Sequence, residues 1–398
     1  MSPPHSPDDQ RSTARLLRLL CLLWLAGTAT RITILAIPPV IPLIRADLQM
    51  TEAQVGFLVS LPVLMFAIAA VPGSLLIARL GAGLTLTAGI LVTALAGAAR
   101  GGAGDVWQLC AMTLLMGAGI AIIQPALPAI VREWLPQRVG LGTATFTNGM
   151  LAAVMFAPAL TIPVVLPLVG GSWRLDLVVW SLPVLATALL FALLRPRGLG
   201  PPSRDAPRVR WWPDWKNPLT WLLGFTFGSN NAAYYGANAF LPDFLAGQGR
   251  TDLIGPALGW LNAAQFGASL VLLLVTDRLL RRALPYLVFG PMTLVAFAGM
   301  VLMSSNWIVF WAAVMGFASA ITFAVIIALP PLLSRPGDAH RTAAGMFTIS
   351  YSCAVVIPTV SGALWDLTGL PWTAFVPLGL CAVTLTVLGT MVSRRKTQ

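Results

Sequence analysis

The chain has 398 residues, of which 57% are hydrophobic and only 10% charged, whereas soluble domains carry about 25% charged residues. The net charge of +11 does not describe a nucleic-acid surface, because the basic residues punctuate the ends of apolar runs and form no stripe with interleaved aromatics. The runs persist for about 20 residues without period-two alternation, which excludes a soluble domain and a β-barrel and leaves an all-α membrane protein.

After a tail over 1–15, the first span is predicted over 16–44. Arg11, Arg15 and Arg18 precede it and Ala26-Gly27-Thr28-Ala29 is rich in small residues, as in a signal peptide. The apolar run continues past Arg31 to Ile44, longer than such a peptide's core, so the segment reads as a retained helix. Arg31 lies 13 residues after Arg18 and 14 before Arg45. At about 1.5 Å per residue each flanking charge is roughly 20 Å away, which sets Arg31 near the middle of a hydrocarbon core about 30 Å thick. A guanidinium there costs from about 2.5–3.5 kcal/mol to above 10, depending on the scale. It should face a wet cavity or an anion; the plainer alternative is pairing with backbone carbonyls or polar neighbours inside the bundle.

Further spans over 53–78, 83–100, 106–131, 139–168 and 173–194 complete a bundle at 16–194. The polar stretch 195–217 holds Pro201-Pro202, five arginines and Trp211-Trp212-Pro213, and reads as a linker along the membrane surface. Spans over 218–246, 255–277, 284–304, 306–334, 341–365 and 371–392 form a second bundle at 218–392, followed by a tail at 393–398. Twelve spans put 20 Lys and Arg on one side and 4 (Arg45, Arg100, Arg174 and Arg250) on the other, with Arg31 alone inside. This asymmetry makes both termini and the linker cytoplasmic.

The halves repeat weakly. Ala126-Leu127-Pro128 matches Ala328-Leu329-Pro330, Met116-Gly117 matches Met315-Gly316, and Arg138 with Gly142 matches Arg341 with Gly345, at offsets between 199 and 203 residues. Two repeated six-helix halves suggest alternating access around a midplane site. An offset of 200 sets Asn231 opposite Arg31.

Span 7 is the most polar. Asn231, Tyr234, Tyr235 and Asn238 share one face by their i, i+3, i+4, i+7 spacing, beside Asn230. Lipid offers such groups no partners. Helix docking by hydrogen bonds is worth only about 0.6 kcal/mol on average, so a whole stripe favours a cavity wall. Gln124, Asn148, Asn262, Gln265 and Tyr351 are further candidates, each equally explained by bonding between helices. Trp107, Trp134, Trp173, Trp307, Trp365 and Trp372 fall near span ends as an interfacial belt would. No Asp, Glu or His is expected deep in any span, where proton-coupled carriers commonly keep a relay; Asp243 and Glu52 sit near outer ends and could serve as one. Cys21, Cys110, Cys353 and Cys381 read as buried small hydrophobes, and His340 falls in a loop. No metal or cofactor pattern is present.

The run Gly73-Ser74-Leu75-Leu76-Ile77-Ala78-Arg79-Leu80-Gly81 resembles the major facilitator superfamily's signature after helix 2, with Ala78 where an aspartate is usual. Asp277-Arg278 with Arg281-Arg282 holds the corresponding place in the second half. A narrower resemblance, to the superfamily's cyanate and 2-nitroimidazole permeases, rests on Arg31, on Gly56-Phe57-Leu58-Val59-Ser60-Leu61-Pro62-Val63, on Arg138-Val139-Gly140-Leu141 and on Tyr234 to Pro242. That group often carries Asn-Leu-Arg-Pro in helix 1, whereas this chain has Ala29-Thr30-Arg31-Ile32. The resemblance implies the major facilitator fold: twelve transmembrane helices in two pseudo-symmetric six-helix bundles, with helices 1, 4, 7 and 10 around the cavity. It implies a secondary transporter of a small, compact, often anionic solute, with Arg31 as main contact. Arg79, Arg278, Asp277 and Glu133 would be gating residues on the cytoplasmic side.

The expected partners are a small anion and membrane lipid, with no nucleic acid and no cofactor, for a monomer that is not an enzyme. One fixed charge neutralised by its substrate favours exchange. Arginine outnumbers lysine 23 to 2, which suggests a GC-rich bacterial genome and hence a cell inner membrane. Rival readings are a carrier or exporter of neutral or weakly basic compounds with Arg31 structural, a non-transporting receptor, and a membrane enzyme.

Overall fold

The computed structural model describes residues 7–50, 52–195, 211–279, 283–303, 306–335 and 338–395. Most of the linker therefore lies outside the described residues, as do the side chains of Glu52, Asp277 and Arg278.

Among the described residues, ten helices are long and apolar enough to cross a membrane. They are α1 (Ala14–Leu48), α3 (Ala82–Gly102), α4 (Val106–Trp134), α5 (Val139–Leu168), α6 (Trp173–Leu194), α8 (Ile254–Leu274), α9 (Leu284–Leu302), α10 (Trp307–Leu333), α11 (Ala339–Thr368) and α12 (Pro371–Val392). An eleventh, α2, is a pair, Phe57–Ile68 and Ala70–Leu80, bent by 51°. Pro72 lacks the N–H that would bond the Ile68 carbonyl, which loosens the helix at this point. The twelfth, α7 (Pro218–Gly247), is 30 residues long. It falls short on hydropathy because it carries the Asn and Tyr stripe. The fold is thus twelve helices in two six-helix bundles.

The internal repeat is visible in the packing. In the first bundle α1 lies on α5, α2 on α4 and α3 on α6; in the second α7 lies on α11, α8 on α10 and α9 on α12. Gly117 and Gly316, matched in sequence, occupy equivalent crossings. A Cβ on Gly117 would stand 3.1 Å from Pro62 Cα, and one on Gly316 would overlap the Leu261 carbonyl oxygen. Pro62 and Leu261 share the offset of 199.

The bundles meet mainly through α5 with α8 and through α2 and α4 with α11. On the face that carries the linker the contact is tight. Nearly every residue of α4 from Ile120 to Val131 and of α10 from Ala318 to Pro331 is buried. The end of the linker straps the halves together: Ser74 Oγ in α2 donates to the Trp211 carbonyl at 2.6 Å, and Arg341 Nε in α11 donates to the Trp212 carbonyl at 2.8 Å. Arg341 also pairs with Asp338 at 2.8 Å, and Arg132 Nη1 donates to the Ser334 carbonyl at 3.2 Å. Toward the far face the halves part, and a cavity opens between them.

Several expectations need correction. Trp173 is buried and donates to Asp47 at 3.1 Å, so it does not belong to an interfacial belt. His340 is buried in the first turn of α11 and Cys21 is exposed. Asp176, in the first turn of α6 and so not deep in the span, is fully buried.

Candidate functional site

Arg31 does not sit in a continuous helix. The first helical stretch, which enters α1, winds from Pro7 to Ala29; the helix then breaks at Thr30 and Arg31 and resumes at Ile32–Leu35. At the break the Thr30 and Arg31 amides donate to the carbonyls three residues back, Gly27 and Thr28, both at 3.1 Å. Thr30 Oγ1 also donates to the Gly27 carbonyl, at 2.7 Å. The tightened turn needs no proline, because a hydroxyl and i−3 bonds satisfy the freed carbonyls.

The guanidinium points into a cavity of about 770 Å³ between the halves. Its Nη2 donates to Tyr351 Oη at 3.4 Å, and its carbon stands 5.3 Å from the Phe66 ring centre, a cation–π contact. Tyr234 and Tyr235 stand within its field. Among the described residues no carboxylate pairs with it.

Behind Arg31 lies a wall that does not line the cavity. Tyr351 and Gln124 are buried, Gln124 Nε2 donates to Tyr351 Oη at 3.1 Å, and Tyr351 packs on Phe66 at 4.9 Å. These residues hold the guanidinium in place. Asn148 is a tie between helices: it accepts from Trp24 Nε1 in α1 and donates to Ser269 in α8, both at 2.8 Å.

The α7 stripe does line the cavity: Asn231, Tyr234, Tyr235 and Asn238 face it together with Asn262 and Gln265 from α8. Tyr234 Oη donates to Asn262 Oδ1 at 2.8 Å, Gln265 Nε2 donates to the same oxygen at 3.1 Å, and Asn238 Nδ2 donates to the Tyr234 carbonyl at 2.9 Å. Asn231 Nδ2 donates to Ser350 Oγ at 2.8 Å. The opposite wall is apolar: Leu58, Pro62, Val63 and Phe66 from α2, Met116 from α4, and Met150, Val154 and Met155 from α5. The cavity is therefore two-faced, with amides and phenols opposite aliphatic and sulfur groups, and one cation between them.

Phe66 and Arg100, which sequence reasoning missed, also line the cavity, as does Asn230, which it set beside the stripe and not among the contacts. Asn230 lies off the stripe. Its Oδ1 accepts from Thr322 at 2.6 Å while its buried Nδ2 finds no partner among the described residues. Of the gating candidates, Arg79 and Glu133 are exposed and form no ion pair among the described residues. Arg132 and Arg341 make the linker-face contacts instead.

A twelve-helix protein with a polar cavity between two repeated bundles has the build of a membrane transporter. The model of the Major Facilitator Superfamily matches residues 23–304, and the chain belongs to that family. An uncharacterized transporter of Bacillus subtilis strain 168, YycB, is 26% identical over 363 residues, covering 90% of this chain and 88% of its own. The 2-nitroimidazole transporter of Escherichia coli K12 is 26% identical, covering 95% of this chain and 96% of its own; the cyanate transport protein CynX of the same organism is 25% identical, covering 92% and 96%. Among solved structures, the family member FucP in the outward conformation superposes with a TM-score of 0.72 at 14% identity, covering 94% of this chain and 98% of its own. The proton:xylose symporter XylE does so with 0.74 at 11%, covering 94% and 95%. The chain is a transporter and not an enzyme.

Proposed function

We propose that the protein carries a small organic anion, a planar charged head on an apolar body, across a bacterial inner membrane by alternating access. Arg31 is the main contact. Both termini and the linker lie in the cytoplasm, so the cavity opens to the outside. The reading is carried by one observation: Arg31 faces the cavity and no carboxylate among the described residues pairs with it. A cation without a counter-ion inside a membrane protein is costly, and a bound anion offsets that cost. A guanidinium suits a planar head through two parallel hydrogen bonds. The α7 and α8 groups would bond the remaining edge of the head, and the α2, α4 and α5 wall would cover the body. About 770 Å³ falls within the range of about 300–1,000 Å³ typical of organic-ligand sites and exceeds the need of a bare linear anion.

The apolar wall also supports a second reading, a neutral nitro-aromatic, whose nitro group offers the same planar pair of acceptors. The 2-nitroimidazole and cyanate relatives span these two chemistries. A thermal-shift panel on purified protein separates them. Benzoate is expected to stabilise more than cyanate, and benzyl alcohol not at all. Stabilisation by 2-nitroimidazole and benzyl alcohol with none by benzoate would favour the neutral reading.

A further inference from the structure

Arg100 and Asp176 are the charged pair that anion binding by Arg31 leaves unused. Arg100 opens the 3-10 turn that ends α3, and Asp176 sits in the first turn of α6. Both are fully buried, and Arg100 lines the cavity. Its Nη2 donates at 2.8 Å to the carbonyl of Thr33, two residues beyond Arg31 on the far side of the α1 break. Its Nε reaches the Gly97 carbonyl at 3.3 Å. Its Nη1 has no partner among the described residues, and neither has either oxygen of Asp176. The Trp180 indole, one turn along α6, lies near enough to favour the charged carboxylate, but its hydrogen bond goes to Thr161 Oγ1 at 2.9 Å.

The two charges attract one another but form no direct ion pair. Helices α1, α3 and α5 pack against this part of α6. Among the described residues, Arg100 is the one charged group from them that acts on Asp176. Nearby, Asp47 of α1 is held by Arg174 at 2.9 Å, and α5 presents Thr161. A buried carboxylate with two unsatisfied oxygens is costly, and taking up a proton removes the cost.

We propose that Asp176 is the carrier's proton-binding site and that Arg100 couples it to the anion site through the Thr33 carbonyl. The step adds one proton to the carboxylate, giving a neutral carboxylic acid. Arg100 is then no longer shared with an anion and stands as a second positive charge on the cavity wall. Proton and anion binding therefore favour each other, as linkage requires. A monovalent anion plus one proton leaves the net charge of the moving carrier unchanged. The proposal rests on the anion reading above.

The first test needs no substrate. Infrared difference spectra of the reconstituted protein are recorded as pH falls from roughly 10 to roughly 4, a window that covers carboxyl groups raised by burial. A protonated-carboxyl C=O band should appear in the wild type and be missing in Asp176→Asn. If that variant fails to fold, Asp176→Glu should shift the band. Identical spectra in wild type and variants would overturn the proposal and leave the anion reading intact. The second test uses labelled benzenesulfonate, a permanent anion that cannot cross the lipid as a neutral acid in the way benzoate would, in liposomes with an inward proton gradient of one pH unit. One-proton symport predicts about tenfold accumulation, since one pH unit is worth about 1.36 kcal/mol. In Asp176→Asn the accumulation should no longer respond to the gradient; an undiminished response would overturn the coupling. Failure of benzenesulfonate and benzoate alike to bind would strike the anion reading, while the infrared result would stand by itself.

Discussion

Arg31→Met should weaken anion binding about 100-fold without weakening the empty protein. Two charge-assisted hydrogen bonds at about 1.5 kcal/mol or more each amount to about 3 kcal/mol, so benzoate affinity should fall about 100-fold. Methionine keeps much of the length and packs on Phe66, while the lone charge disappears. Loss of an unpaired buried charge is neutral or stabilising, so the apparent melting temperature without ligand should hold or rise. Arg31→Lys keeps the charge but loses the planar fork; about tenfold weaker binding is expected. Calorimetric titration with benzoate and thermal melts of the three proteins check this. Wild-type affinity in Arg31→Met would mean that the cation is structural. A large drop in stability of the empty protein would mean that it holds the bundle together.

Gly316→Ala should be among the most damaging single-carbon changes in the chain. The added Cβ would overlap the Leu261 carbonyl oxygen, so α8 and α10 must separate. The equivalent Gly117→Ala meets Pro62 Cα at 3.1 Å and the movable Met65 side chain at 3.3 Å, which give way more easily. Overpacking typically costs about 1–3 kcal/mol. The first variant belongs at or above the upper limit and the second near the lower. Melts in detergent should show Gly316→Ala lower by roughly 5 °C or more and Gly117→Ala by clearly less. Equal effects would contradict the backbone contact at the second crossing.

Periodicity, apolar length and loop charge were enough to read the twelve helices and their repeat. The α7 stripe was legible for the same reason: four polar side chains on one face of a membrane helix have few uses. The break at Thr30 and Arg31 was not legible, because no proline or glycine marks it and the turn is held by a hydroxyl. Gln124, Asn148 and Tyr351 were found as polar residues, but sequence spacing within one helix does not reveal which helix is opposite. Only the packing separates a cavity wall from a tie. Asp176 was passed over because it stands near a span end, where acids commonly face water; the packing of α3 and α6 encloses it.

The most direct measurement is a solid-state NMR dipolar-recoupling experiment on the reconstituted protein, with 15N in the arginine guanidinium groups and 13C in the benzoate carboxyl. Bound benzoate should show dephasing at hydrogen-bond range, and the signal should vanish in Arg31→Lys. Benzoate that binds without any such contact, or with a contact that survives in Arg31→Lys, would contradict Arg31 as the group that holds the anion.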